Sequence, residues 1–471
     1  MQACEFIHKL VQALYQHQLK WLAAQLIPSY RQTLAAQPLG LRQPSARRGT
    51  AAEPARLHYR MPLTVSSEIG RLRRVIVHTP GPELLAVTPD TREDYLYDDI
   101  IDVESARKEH RRFVAILERY AQVHEVRDLL LDVVDLPDVR QLLIQETLDI
   151  VPLERLEREL SELPAEELVR TLVEGREDPP GPLGLALNER GYQLPPLPNL
   201  YFTRDVAMGI NEHVMIGSMR YGVRWSEELI MKALFMSHPI LANRGILYDG
   251  SAERRLAYTL EGGDVHVLRS DTVMIGFSER SSPAAIDHLA ALLFAHTTIE
   301  NVIVVVMPKE NTAIHLDMIF TQVDRELCVV YPPHFIGPER LSVLLWRRGA
   351  AQLREMPNVF AALDECGLSL EPIYCGGSRR QVQEREQWAS GCNFVTLRPG
   401  LITSYSRNEA TLHELHKMGF KVVPAVAFLT GEMRIADDER AVITFEGSEL
   451  VRGGGGPRCM TCPIERDDPW T

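Results

Sequence analysis

"RDVAMGINEHVMIG" (204–217) and "GDVHVLRSDTVMIG" (263–276) decide how the rest of the chain is read. Each places an aspartate, Asp205 or Asp264, ten residues ahead of a Met-Ile-Gly. Each reads as strand, turn and strand, with Asn211-Glu212 or Ser270-Asp271 at the turn. "HLDMIFTQVDRELCVVYP" (315–332) and "GCNFVTLRPGLITSYSRN" (391–408) follow the same plan more loosely. "RRVIVH" (73–78) opens a fifth hairpin-like unit. Together with "NVIVVVMP" (301–308), these β-branched runs predict buried strands of an α/β fold. Polar residues stand just ahead of each strand pair. Set round one axis, the units would gather them in a central pocket: Asn199, Asp205, Glu261, Asp264, His315, Asp317, Asn393 and Cys459.

Outward from this repeat the chain changes character twice. Between about Arg92 and Gly191 the pattern is helical, as in "DVESARKEHRRFVAILERYA" (102–121) and "LPAEELVRTLVEG" (163–175). This stretch, 92–191, reads as a helical insertion within a domain spanning 64–471. Residues 1–63 carry only two acidic residues, Glu5 and Glu53, against Lys9, Lys20 and six arginines. They read as a basic extension, either disordered or a peripheral helix around Phe6 to Leu26. A transit peptide shares that composition.

Composition excludes several classes. With 471 residues and a net charge of −13, nucleic acid and anionic membrane are not expected partners. No apolar run approaches the roughly 20 residues of a membrane span. Seven scattered cysteines are an odd number and suit a reducing, cytoplasmic setting better than a disulfide framework.

The pocket's residues suggest a chemistry. Four carboxylates in one small site repel one another unless a cation joins them. That cation is either a metal or a substrate. A guanidinium is planar, permanently charged and able to bond carboxylates bidentately. A thiolate facing its central carbon, with a histidine to move protons, makes a nucleophilic site. Cys459-Met-Thr-Cys462 also reads as half a zinc site, completed by His413 and His416, or as a redox pair.

Seven stretches carry a family resemblance: "EIGRLRRVIVHTPGPEL" (68–84), "YDDIIDVESARKEHRRF" (97–113), "PLPNLYFTRD" (196–205), "LEGGDV" (260–265), "IHLDMIFTQVD" (314–324), "YSRN" (405–408) and "RGGGGPRCMTCPIERD" (452–467). In order and spacing they resemble the arginine deiminases, within the guanidino-modifying superfamily. The resemblance implies a five-bladed α/β propeller with pseudo-fivefold symmetry and a helical insertion. It implies Cys459 as nucleophile, His315 as general acid and base, Asp205 and Asp317 as the guanidinium-binding pair, and Glu261 beside them. Asn199, Phe202, Arg224, Arg280, Asp264, Asn393 and Arg452 would line the substrate, with Arg224 and Arg280 on its α-carboxylate. No metal and no organic cofactor are implied. The family's loop commonly carries an arginine where this chain has Gly454.

The reaction so implied is hydrolysis of L-arginine to citrulline and ammonia through a covalent thiouronium on Cys459. The same residues serve an arginine dihydrolase, an amidinotransferase or a non-catalytic arginine sensor. Homo-oligomers are common in the family.

Overall fold

The computed structural model describes residues 63–151, 154–187, 191–252 and 258–470. All fall within one compact unit, Tyr59–Thr471. The expectation for the N-terminal extension lies outside the described residues, except at its last position. There Leu63 is buried and its N–H donates to Ala242 O.

The fold is mixed α/β. Five sheets among the described residues contain one motif: an antiparallel pair and, beyond a helical crossover, a strand parallel to the second; in the sheet of Leu401–Tyr405 a further strand, Lys421–Pro424, comes first and takes the outer edge. Ala207–Ile210 and His213–Ile216 pair antiparallel, and Ile246–Asp249 returns parallel after the helix Trp225–Ser237. Val265–Arg269, Thr272–Phe277 and Asn301–Val306 repeat this around Pro283–His296. Phe320–Gln322, Leu327–Val330 and Glu371–Tyr374 form the next sheet. In the following one, Ala441–Phe445 lies parallel to Leu401–Tyr405, which pairs with Val395–Arg398. The remaining sheet joins the two ends of the compact unit. Cys462–Arg466 pairs antiparallel with Leu72–Val77, which pairs parallel with Gln122–Glu125.

Local sequence explains these elements. Asn211 takes φ +54° at its hairpin turn, a left-handed conformation that asparagine tolerates better than most residues. The run 301–306 is β-branched almost throughout, and its centre is buried. Ser282 caps the helix Pro283–His296 by accepting from Ala285 N, with proline in the first turn.

The helical stretch differs from expectation at its start. Val103–Leu117 is the crossover helix of the first sheet, capped by Asp102, and Gln122–Glu125 is that sheet's third strand. The inserted part begins only at the helix Val126–Val133. It runs through Pro137–Ile150, Glu154–Glu162 and Ala165–Glu174 to the hairpin of Arg176–Asp178 and Gly191–Leu194. Helical periodicity marks a buried face, and a crossover helix has the same face as an inserted one. No helix among the described residues is long and apolar enough to cross a membrane.

Candidate active site

The candidate side chains sit on short turns that lead into the first strand of each sheet. Asp205 lies in the turn Thr203–Val206, immediately before Ala207–Ile210. Glu261 precedes the turn Gly262–Asp264, which leads into Val265–Arg269. His315 precedes Leu316–Met318, ahead of Phe320–Gln322. Asn393 stands two residues before Val395–Arg398, and Cys459 three before Cys462–Arg466. The same step of each repeat therefore delivers one part of the site.

These parts meet. His315 Nε2 lies 2.8 Å from Glu261 Oε2, and its Nδ1 lies 3.7 Å from Asp205 Oδ1. Asn393 Nδ2 is 3.1 Å from Cys459 Sγ, which is 3.5 Å from Asp317 Oδ2. Arg224 donates from Nη1 to Asp205 Oδ2 at 2.8 Å, and Arg280 from Nη1 to Glu261 Oε2 at 3.3 Å. Asp205, His315, Cys459, Asn199, Phe202, Arg224 and Arg280 line one cavity of about 30 Å³. That is room for one or two waters. A vestibule of about 460 Å³ adjoins it and shares Leu96, Arg280, Ile314, Gly453 and Gly454.

The glycine loop closes the cavity because its backbone lies against rings and amides. A Cβ on Gly455 would sit 2.3 Å from the Phe202 ring, and one on Gly456 would sit 2.6 Å from Asn393 Oδ1. Gly454 takes φ +83° with open space around it. An arginine there would face strain of about 1–2 kcal/mol from the left-handed backbone.

Burial and charge set the protonation states. Burial disfavours the imidazolium of His315, but Asp205, Glu261 and Asp264 outweigh this and push it up to about 9. At neutral pH it is therefore a proton donor. Burial, and then Asp317 and Asp205, push the Cys459 thiol well above its ordinary range. Glu261 is driven up by burial, but Arg280 and His315 outweigh that and hold it down at about 2.

Two expected substrate contacts point elsewhere. Asp264 is buried with both oxygens engaged: Oδ1 accepts from Leu316 N, and Oδ2 from the hydroxyls of Ser278 and Ser281. It braces the turn that carries His315. Arg452 is 40% exposed and pairs with Asp99 and Glu449 on the outer side of the loop. The family resemblance implied a place for it along the substrate.

The zinc alternative does not assemble. Cys462 Sγ donates to Ala207 O in the core, while His413 and His416 are exposed. The metal-capable group among the described residues is Asp205, Glu261 and His315.

Three residues escaped the sequence reading. Glu227, three residues on, accepts from Arg224 Nε and Nη2. Arg458 is fully buried and donates to Asp317 Oδ2 at 2.9 Å. Glu68 receives Arg458 through both carboxylate oxygens, at 3.2 and 3.0 Å. Glu227 had an i,i+3 spacing to signal it. Glu68 and Arg458 lie in quoted blocks at opposite ends of the domain, and nothing local links them.

A family profile described as arginine deiminase matches residues 93–466. Solved structures similar to the chain include the N-terminal domain of ArgZ covalently bound to a reaction intermediate. It is 13% identical, covering 83% of this chain and 98% of that one, with a TM-score of 0.46. The amidinotransferase SxtG from Microseira wollei is 13% identical over 86% of this chain and 98% of that one, TM-score 0.49. A dimethylarginine dimethylaminohydrolase adduct is 14% identical over 83% and 99%, TM-score 0.45.

Proposed function

Because the chain belongs to the arginine deiminase family, we propose that it hydrolyses L-arginine to L-citrulline and ammonia in the cytoplasm. We read its five like-connected sheets as the blades of a pseudo-fivefold propeller around the site. The observation that carries the reaction is a pair of orphaned oxygens. Asp205 Oδ1 and Asp317 Oδ1 are buried and neither has a hydrogen-bond partner, although His315 Nδ1 stands 3.7 Å from Asp205 Oδ1. Each aspartate has its other oxygen on a protein arginine. A buried acceptor left unpaired costs about 1–3 kcal/mol, more when charged. A guanidinium has donors enough to satisfy both at once.

In this mechanism the loop opens, because the present cavity does not hold an arginine. The substrate's guanidinium lies between Asp205 and Asp317, and its α-carboxylate draws on Arg224 and Arg280. Arrival of a cation offsets the two carboxylates that keep Cys459 protonated, and the thiol sheds its proton to solvent. The sulfur lone pair adds to the guanidinium carbon and gives a neutral tetrahedral adduct. His315 donates its proton to one amino nitrogen, the C–N bond breaks and ammonia leaves. A thiouronium cation remains on Cys459. Neutral His315 then takes a proton from a water as that water adds to the same carbon. Collapse breaks the C–S bond, the hydroxyl proton is shed, and citrulline departs. Citrulline carries no charge to offset the carboxylates, so it leaves before a second hydrolysis.

Product stoichiometry tests this reading. One ammonia and one citrulline per arginine are expected, without ornithine and without an amine acceptor. Two ammonias with ornithine, a need for an amine acceptor, or no product at all would overturn it.

A further inference from the structure

Beneath the cavity lies a buried ionic link that no catalytic step above uses. Arg458 donates from Nη1 to Asp317 Oδ2 at 2.9 Å, from Nε and Nη2 to Glu68, and from Nη2 to Val265 O at 2.7 Å. Arg458 and Asp317 are fully buried, and Glu68 is nearly so. The next residue after Arg458 is Cys459, whose Sγ lies 3.5 Å from the same Asp317 oxygen. Asn393 ties the two together from the other side. Its Oδ1 accepts from Arg458 N at 2.8 Å, and its Nδ2 approaches Cys459 Sγ at 3.1 Å and Asp317 O at 3.3 Å.

We propose that Arg458, held by Glu68, is the positioning residue for Asp317 and Cys459. It occupies one Asp317 oxygen from behind and leaves the other free for the substrate cation. The kinetic part of this proposal rests on the deiminase reading above, and the alkylation part does not.

The geometry favours positioning over simple cohesion. A buried ion pair is weak evidence of stabilisation, because desolvation offsets its attraction. What this pair supplies is direction. A guanidinium is a rigid fork, so Glu68 on one edge fixes where the other edge points. Asp317 is thereby held in one plane and set at a fixed distance from the sulfur. A lysine at 458 would bring the charge without the fork. It would not span Glu68 and Asp317 together.

The test uses the full chain with three variants: Arg458→Lys, Glu68→Gln, and the double variant Arg458→Met with Glu68→Gln. Thermal melting, kcat and KM for arginine are measured. So is the pH profile of Cys459 alkylation by 2-chloroacetamidine, a small cationic thiol reagent, followed by mass spectrometry. The double variant removes one buried cation and one buried anion, but it also takes Arg458 from Asp317 and Glu68 from Arg204, so it is expected to fold and to melt below the parent. Its kcat/KM is expected to fall roughly 10- to 100-fold, the loss of one charged hydrogen bond. Its alkylation midpoint is expected to move to higher pH, because a cation beside the thiol has gone. Arg458→Lys is expected to fall between double variant and parent on both readouts, and Glu68→Gln to raise KM and lower kcat together. A folded double variant with the parent's alkylation profile would overturn the proposal. If the double variant does not fold, Arg458→Lys with the parent's profile would overturn it as well. If the parent has no arginine turnover, the deiminase reading fails, and the alkylation profile alone still decides the role of Arg458.

Discussion

Asp205 and Asp317 precede the first strand of two different sheets, yet they sit in layers of opposite charge. Around Asp205, four buried carboxylates (Asp205, Glu227, Glu261, Asp264) face three cations, Arg224, Arg280 and His315. Burial drives Glu227 up to about 7 against the pull of Arg224, and Asp264 up to about 6. Around Asp317 the balance reverses. Arg204, Arg458 and Arg466 are buried with Glu68 and Asp317. Burial pulls Arg466 down to about 9, while burial pushes Glu68 up but Arg458 and Arg204 outweigh it and hold Glu68 well below the carboxylate range. The anion-rich layer lacks one cation, which a substrate can supply. The cation-rich layer needs the carboxylates it has.

The largest expected effect breaks this symmetry directly. Asp317→Asn removes a charge that offsets three buried arginines, and should cost about 3–5 kcal/mol of stability. Asp205→Asn relieves a crowd of carboxylates and should leave stability within about 1 kcal/mol of the parent, or raise it. Both should lose turnover. Equal destabilisation in denaturant unfolding would mean that the two layers do not differ in charge balance.

A smaller effect sharpens the account of the upper layer. Arg224 holds Asp205 and Glu227 at rest, and is proposed to serve the substrate's α-carboxylate. Arg224→Ala should raise KM for arginine by a factor of about 10–100, from a charged hydrogen bond of roughly 1.5–3 kcal/mol. Agmatine, which has the guanidinium but no carboxylate, should lose little. Equal losses with both compounds would make Arg224 a brace for Asp205 only.

Much of this was legible in the sequence for a physical reason. Asp205, Glu261, His315, Asn393 and Cys459 recur at one step of a repeat, and a repeat folds into like surroundings. Buried strands such as 301–306 carry their own signature in β-branched runs. The link between Glu68 and Arg458 has no such signature, because its partners lie 390 positions apart and meet only when the first and last strands pair. The start of the insertion was misjudged for a related reason. The amphipathic face of Val103–Leu117 does not say which sheet its following strand joins. Asp264 looked like a site carboxylate by its repeat position, but two serine hydroxyls close by in the fold, Ser278 and Ser281, take its Oδ2 and the Leu316 N–H takes its Oδ1.

The most direct measurement of the central claim is the mass of the Cys459 peptide after rapid acid quench during turnover of arginine labelled in the guanidino carbon. The account predicts an adduct on Cys459 that carries the labelled carbon and has lost one nitrogen as ammonia. It should disappear as citrulline accumulates. Turnover with no labelled mass on Cys459 at any quench time, or with the label on Cys462, would contradict it.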